Sequence, residues 1–190
     1  MKLGELVLKN RSYRRFFENV PIEHETLRQL VDLARLSGSA ANLQPLKYML
    51  SVDQELNASI FPHLWWAGYL KDWEGPAEGE RPSGYIIILG DQNIVEDFGC
   101  DHGIVAQSIL LGATELGLGG CMIGSIQREE LRRELEIPPD LKILLVIALG
   151  KPKEIVKIEN MGTEGSVKYW RDENDIHHVP KRSLDELIIS

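Results

Sequence analysis

Apolar positions along the chain fall into segments with helical spacing separated by runs that suit strands. Leu3, Leu6 and Val7 predict a short first helix ending near Asn10. From Pro21 onward, Leu27, Leu30, Val31 and Ala34 keep helical spacing, with Glu23 and Glu25 where a helix N-terminus favours negative charge. A helix to about Leu36 is expected there. The small, polar run 37–42 reads as a tight loop, and Leu46 to Val52 alternates like a half-buried strand. Residues 54–83 mix Trp65, Trp66, Tyr69 and Trp73 with scattered Gly and Pro, so a short helix and then a surface excursion are expected. Tyr85-Ile86-Ile87-Ile88-Leu89, bounded by glycines, has the pattern of a strand buried on both faces. Ile104 to Leu116 is apolar nearly all round and predicts a buried helix ended by Gly117. Gly120 to Gly124 reads as a short strand, and Gln127 to Glu136 as an exposed charged helix stopped by Pro138-Pro139. Lys142 to Leu149 is the strongest strand. Residues 151–179 lack periodicity and are expected to be extended or loop-like. Ser183 and Glu186 have the form of a capping box for a last short helix. Helices and strands without regular βαβ alternation favour an α+β fold, a sheet with helices packed on it.

Composition narrows the class. With 190 residues the chain suits one domain with one ample core, and 43% hydrophobic and 26% charged residues exclude fibrous and disordered classes. The longest apolar run, Ile143 to Leu149, is far short of the roughly 18 to 20 residues a membrane helix needs. The N-terminus lacks a continuous apolar region and a small-residue cleavage site, so export is not expected. Cys100 and Cys121 are too few for a disulfide framework, and two free thiols fit a cytoplasmic location. A net charge of −8 disfavours nucleic acid as a partner.

Against that acidic average, Arg11, Ser12, Arg14 and Arg15 lie within five residues, and Lys181 with Arg182 forms a second basic pair. Guanidinium forks and a hydroxyl donor would suit a phosphate, although composition alone favours two solvated surface patches, since isolated basic runs are common on soluble proteins. Glycines 117, 119, 120 and 124 match no dinucleotide fingerprint, because the run leaves a helix and enters a strand. They read either as a helix cap and tight turn or as a loop closely approached by a ligand. Cys100-Asp101-His102 matches no zinc spacing and is expected to be structural, with no metal site and no side-chain nucleophile. Trp65, Trp66, Tyr69 and Trp73 suit core or subunit interface better than a substrate wall.

Four pieces in fixed order carry a resemblance. Asn10-Arg11-Ser12-Tyr13-Arg14-Arg15-Phe16 resembles the R-S-x-R-x-F signature of the nitroreductase family of FMN-dependent oxidoreductases. Ser37 to Pro45 resembles the family's P-S-x-x-N-x-Q-P loop, and Gly117 to Gly124 its G-L-G-x-C-x-I-G segment. Ile147 to Pro152 with Lys181 to Glu186 completes the pattern, so the likeness spans almost the whole chain.

The resemblance implies a single domain over 1–190, with an antiparallel or mixed sheet flanked by helices, built as an intertwined homodimer. Residues 151–190 would be a C-terminal extension packing on the partner subunit, and FMN would sit at the subunit interface. Carried over by position, Arg11 and Ser12 would hold the FMN phosphate with Lys181 or Arg182, and Arg14 would lie at the pyrimidine edge of the ring and stabilise the reduced cofactor. Ser39, Ala40 and Asn42 would approach from the partner subunit, and Ile123 and Gly124 would pack backbone on the other side. Similar proteins pass hydride from NADH or NADPH through FMN to a nitroaromatic, quinone or other small acceptor in a ping-pong cycle. Asn10 replaces a common basic residue, Gly38 a common proline, and Lys181 stands where Arg is usual. Those departures leave open a flavin-binding protein without turnover, or other flavin chemistry such as dehalogenation, azoline oxidation or flavin fragmentation.

Overall fold

Seven of the eight residues of strand β2 (Gly84–Asp91) are buried, as a glycine-bounded β-branched run requires of a strand covered on both faces. A computed structural model of the chain describes residues 1–162 and 165–189. In it β2 pairs antiparallel with β1 (Leu46–Ser51) on one side and with β4 (Leu141–Gly150) on the other. Strand β3 (Gly119–Ile123) completes an antiparallel sheet of order β1-β2-β4-β3.

Strand alternation sends side chains to two cores. Ile86, Ile88, Ile147 and Leu149 face helices α2 (His24–Arg35) and α4 (Asp101–Glu115), meeting Leu27, Leu30, Ile109 and Leu110. Tyr85, Ile87, Val146 and Ala148 face the other way, onto Ile60 of α3 (Gln54–Ile60), Trp66 and Leu131 of α5 (Arg128–Glu134). The fold is α+β with the sheet sandwiched between helical layers. Helices α2 and α4 touch closely at Gly112, where an added Cβ would lie 2.4 Å from Leu33 Cδ1. The periodic segments stand within a few residues of where the sequence puts them, α4 beginning at Asp101 rather than Ile104.

The described residues of 151–179 are extended or loop-like as expected, but their extended parts pair into a sheet that no sequence pattern announces. They include β5 (Val156–Asn160) and β6 (Trp170–Arg171), which flank β7 (His177–Lys181) in a separate three-stranded sheet, β5 parallel and β6 antiparallel to β7. Most of these strand residues stay partly or fully exposed, so no apolar alternation marks them in the sequence. This extension lies along its own chain: Lys153 N donates to Arg15 O at 2.9 Å and Phe17 N to Lys151 O at 2.9 Å. Ser183 caps the short helix α6 (Leu184–Leu187) with the expected capping box. Helix α1 (Leu3–Lys9) packs across α4. Among the described residues no helix is long and apolar enough to cross a membrane.

Candidate functional site

The segment after α1 crosses the end of β3 at close quarters. Tyr13 N donates to Gly120 O at 3.0 Å, and Ser12 bridges Gly120. A Cβ at Gly120 would fall 2.5 Å from Ala148 O, and one at Gly119 2.5 Å from the Tyr13 ring. Those glycines therefore admit protein packing, while Gly117, at φ +72°, ends α4. Their role settles as cap and close approach within the protein. Gly124 alone of the four keeps open space, with no atom nearer than Leu145 Cδ1 at 4.0 Å.

This crossing sets Arg11, Ser12 and Arg14 on the wall of a cavity of about 350 Å³, with Lys181 of β7 on the same wall. Gln107, Leu110, Met122, Tyr169 and His177 add to the lining, which among the described residues holds three cations and no carboxylate. Arg11 is fixed by α1: its Nη2 donates to Val7 O at 2.6 Å and its Nε to Asn10 O at 2.5 Å. Arg14 is held from several sides. Its backbone N–H donates to the Glu154 carboxylate, Nη1 donates to Ser12 O at 3.2 Å, and its guanidinium lies 5.1 Å from the Tyr169 ring centre. Glu154, buried, also pairs with Arg171 at 3.1 Å.

His177 Nε2 is 3.5 Å from Arg14 Nη1. Burial, then the charges of Arg14, Arg171 and His178, pull the imidazole down to about 4, so the ring is neutral at neutral pH. The geometry makes Nε2 the acceptor and assigns the proton to Nδ1, which is buried and has no partner among the described residues.

Other residues of the sequence-level site lie elsewhere. Arg15 leaves the basic cluster: Nε and Nη2 reach Glu80 at 2.6 and 2.7 Å, and Asp175 lies 3.3 Å away. Glu80, also 2.9 Å from Lys153, is held down near 2 chiefly by its hydrogen bond from Arg15. Arg182 faces Glu186 at 3.9 Å and does not line the cavity. Ile123 puts its side chain into the core, leaving only backbone for a ligand, and Gly124 O accepts from Arg128 Nη2 at 3.0 Å.

Ala40 and Asn42 belong to a short 3₁₀ turn that Ser39 caps, and Ser39 lines a separate hollow of about 160 Å³ together with Asp101, Tyr48 and Val105. Ser39 Oγ donates to Asp101 Oδ2 at 2.7 Å and accepts from Gln44 N at 2.9 Å, which occupies the hydroxyl within the protein. Within one chain these residues do not meet the cationic cavity. Neither do Trp65, Trp66 and Trp73: Trp66 is buried beneath Gly75, Trp65 is exposed, and Trp73 stacks under Arg171 at 4.3 Å. Tyr69 meets Tyr169 at 4.9 Å between ring centres, linking the aromatic segment to the cavity wall.

The nitroreductase family model matches residues 7–75 and 88–151, well over half of the chain and including the first basic cluster, the 37–45 loop and the glycine segment. The chain belongs to the nitroreductase family. A relative from Vibrio harveyi, an NADPH-flavin oxidoreductase, is 26% identical over 79% of this chain and 65% of its own length. Among solved structures, the nitroreductase family protein of Streptococcus pneumoniae TIGR4 aligns over 100% of both chains with a TM-score of 0.73 at 17% identity. An FMN-dependent nitroreductase of Clostridium difficile R20291 aligns over 80% of this chain and 88% of its own, with a TM-score of 0.65 at 24% identity. These structures share the nitroreductase fold with this chain.

Sequence reasoning assigns no functional role to Gln107, Tyr169 and His177, and only a structural one to Asp101. Gln107 carried a signal, as a polar residue in the middle of a helix otherwise apolar nearly all round. Tyr169 and His177 carried none, since their segment has no period from which a facing direction could be read.

Proposed function

We propose that this nitroreductase-family protein is an FMN-dependent NAD(P)H oxidoreductase. One observation carries the reading: Arg11, Arg14, Lys181 and Ser12 line one cavity that contains no carboxylate among the described residues, in a chain whose charge is −8. Such a donor set fits a dianionic phosphate, since each charge-assisted bond is worth about 1.5–3 kcal/mol. Arg11, Ser12 and Lys181 would hold the phosphate, and Lys181 replaces a bidentate fork with a point charge.

When bound, FMN supplies the redox chemistry, accepting hydride from NADH or NADPH and passing it to a nitroaromatic, quinone or similar acceptor that uses the site in turn. The protein's part is binding and electrostatics. Arg14 presents a fixed positive charge, its backbone tied to Glu154 and its guanidinium stacked on Tyr169. A neutral His177 beside it accepts a hydrogen bond without adding a competing charge. That arrangement favours negative charge developing on the cofactor's pyrimidine edge and needs no reorganisation as it develops. No side-chain nucleophile enters.

The site would be completed by a second copy of the chain. Leu3 and Leu8 of α1, with Leu184, Leu187, Ile188 and Ile189 at the C-terminus, are large apolar residues left exposed in the single chain. In the homodimer Ser39, Ala40 and Asn42 would come from the partner, while Ile123 and Gly124 would offer backbone to the cofactor.

The phosphate assignment is tested by comparing FMN with riboflavin. Lys181→Ala should weaken FMN by about tenfold or more and leave riboflavin within about twofold. Equal losses for both ligands would remove Lys181 from the phosphate site.

A further inference from the structure

The loop after α2 holds an unusual backbone. Ala41, Asn42 and Gln44 have φ of 49°, 56° and 51°. Of these three residue types only Asn visits this region readily, so three such residues within four positions persist only where contacts over-determine them. The loop is also exposed, and packing against a core does not impose the shape.

The constraint comes from the first turn of α4. Asp101 is 2% exposed, and its carboxylate accepts from two donors of the loop: Ser39 Oγ at 2.7 Å and Ala40 N at 3.0 Å. Ser39 Oγ passes the constraint on by accepting from Gln44 N at 2.9 Å. The chain Asp101–Ser39–Gln44 thus grips the loop on both sides of Ala41 and Asn42. A buried carboxylate is costly unless its oxygens are satisfied, and both oxygens here are satisfied by this loop. Shape and charge therefore depend on each other.

We infer that Asp101 is a positioning residue of the cofactor site, fixing the backbone of Ser39 to Asn42 in the form presented to FMN, with Ser39 as a relay rather than a ligand. This rests on the FMN reading above. Strain held by a buried charge in an exposed loop pre-forms a binding surface, so that a ligand need not order it.

The test compares the parent protein with Asp101→Ala, Asp101→Asn and Ser39→Ala. Amide hydrogen exchange at Ala40 and Gln44 is read without flavin, and then affinity for FMN and for riboflavin by fluorescence, with the absorption spectrum of the bound flavin. Asp101→Ala should speed exchange at both amides, weaken FMN and riboflavin together by about tenfold or more, and alter the bound spectrum. Asp101→Asn should restore part of the affinity, because its amide oxygen still accepts from Ala40 N while its NH₂ cannot accept from Ser39. Ser39→Ala, at a partly exposed position, carries the test if Asp101→Ala does not fold; it should speed exchange at Gln44 and weaken both flavins. Faster exchange with affinity and spectrum unchanged would overturn the positioning role and leave the FMN reading standing. A parent protein that takes up no flavin would overturn the FMN reading and this inference with it.

Discussion

Glu80→Gln probes the junction that holds the site's N-terminal segment to the rest of the fold. Glu80 joins Arg15 at 2.6 Å, next in sequence to the site's Arg14, to Lys153 at 2.9 Å in the C-terminal extension. Its carboxyl is lowered from 4.5 to about 2, first by the Arg15 hydrogen bond and then, against the cost of burial, by Lys153. A shift of that size corresponds to at most about 3.4 kcal/mol at 1.36 kcal/mol per unit. The partners are 14% to 39% exposed, so solvent screening reduces this to roughly 2 kcal/mol. Because the folded value is depressed, the stabilisation is complete above the unfolded value of 4.5 and is lost as pH falls towards 2. The substituted amide would keep the shape and one acceptor without the charge. Urea unfolding at neutral pH should show the variant less stable by about 2 kcal/mol, with the gap at about pH 3 less than half as large. A gap that stayed constant with pH would refute the assignment of this stabilisation to the Glu80 charge.

Two further outcomes follow from neighbouring groups. His177 and His178 should titrate on opposite sides of 6.5 when followed by ring proton resonances: His177 near 4, because burial and Arg14 oppose its charge, and His178 above its usual value, because Asp172 and Glu159 flank it. The His177 contribution to stability is then lost as pH falls from 6.5 towards 4, whereas that of His178 is lost as pH rises through its raised value. Gly120→Ala should destabilise the fold by about 1–3 kcal/mol in thermal unfolding, since its Cβ would meet backbone at Ala148 O rather than a yielding side chain.

The sandwich was legible in the sequence because its elements have a period. Ile86 to Leu89 and Ile143 to Leu149 are apolar on both faces and bounded by turn residues, and Leu27, Leu30 and Ala34 mark one face of α2. Period says nothing of residues that pair through charge. Arg15 reads as one more basic residue beside Arg14, and only the fold brings Glu80 from 65 positions away to take it out of the cluster. The small β5-β7-β6 sheet was hidden for a similar reason, its strands held by backbone pairing and by contacts such as His178 with Glu159 at 2.7 Å. Asp101 was visible as a letter and not as a role, because its partners Ser39 and Ala40 lie 62 and 61 residues earlier.

The central claim is that this nitroreductase-family chain binds FMN and passes electrons from a nicotinamide donor. The most direct measurement is the absorption spectrum of the FMN-loaded protein between about 350 and 500 nm, followed under nitrogen as NADH and then NADPH is added. The flavin bands should bleach with at least one nucleotide and return when a quinone is supplied. Bands that persist with both nucleotides would contradict the oxidoreductase reading in favour of a flavin-binding protein without turnover, and a protein that takes up no FMN would contradict the site itself.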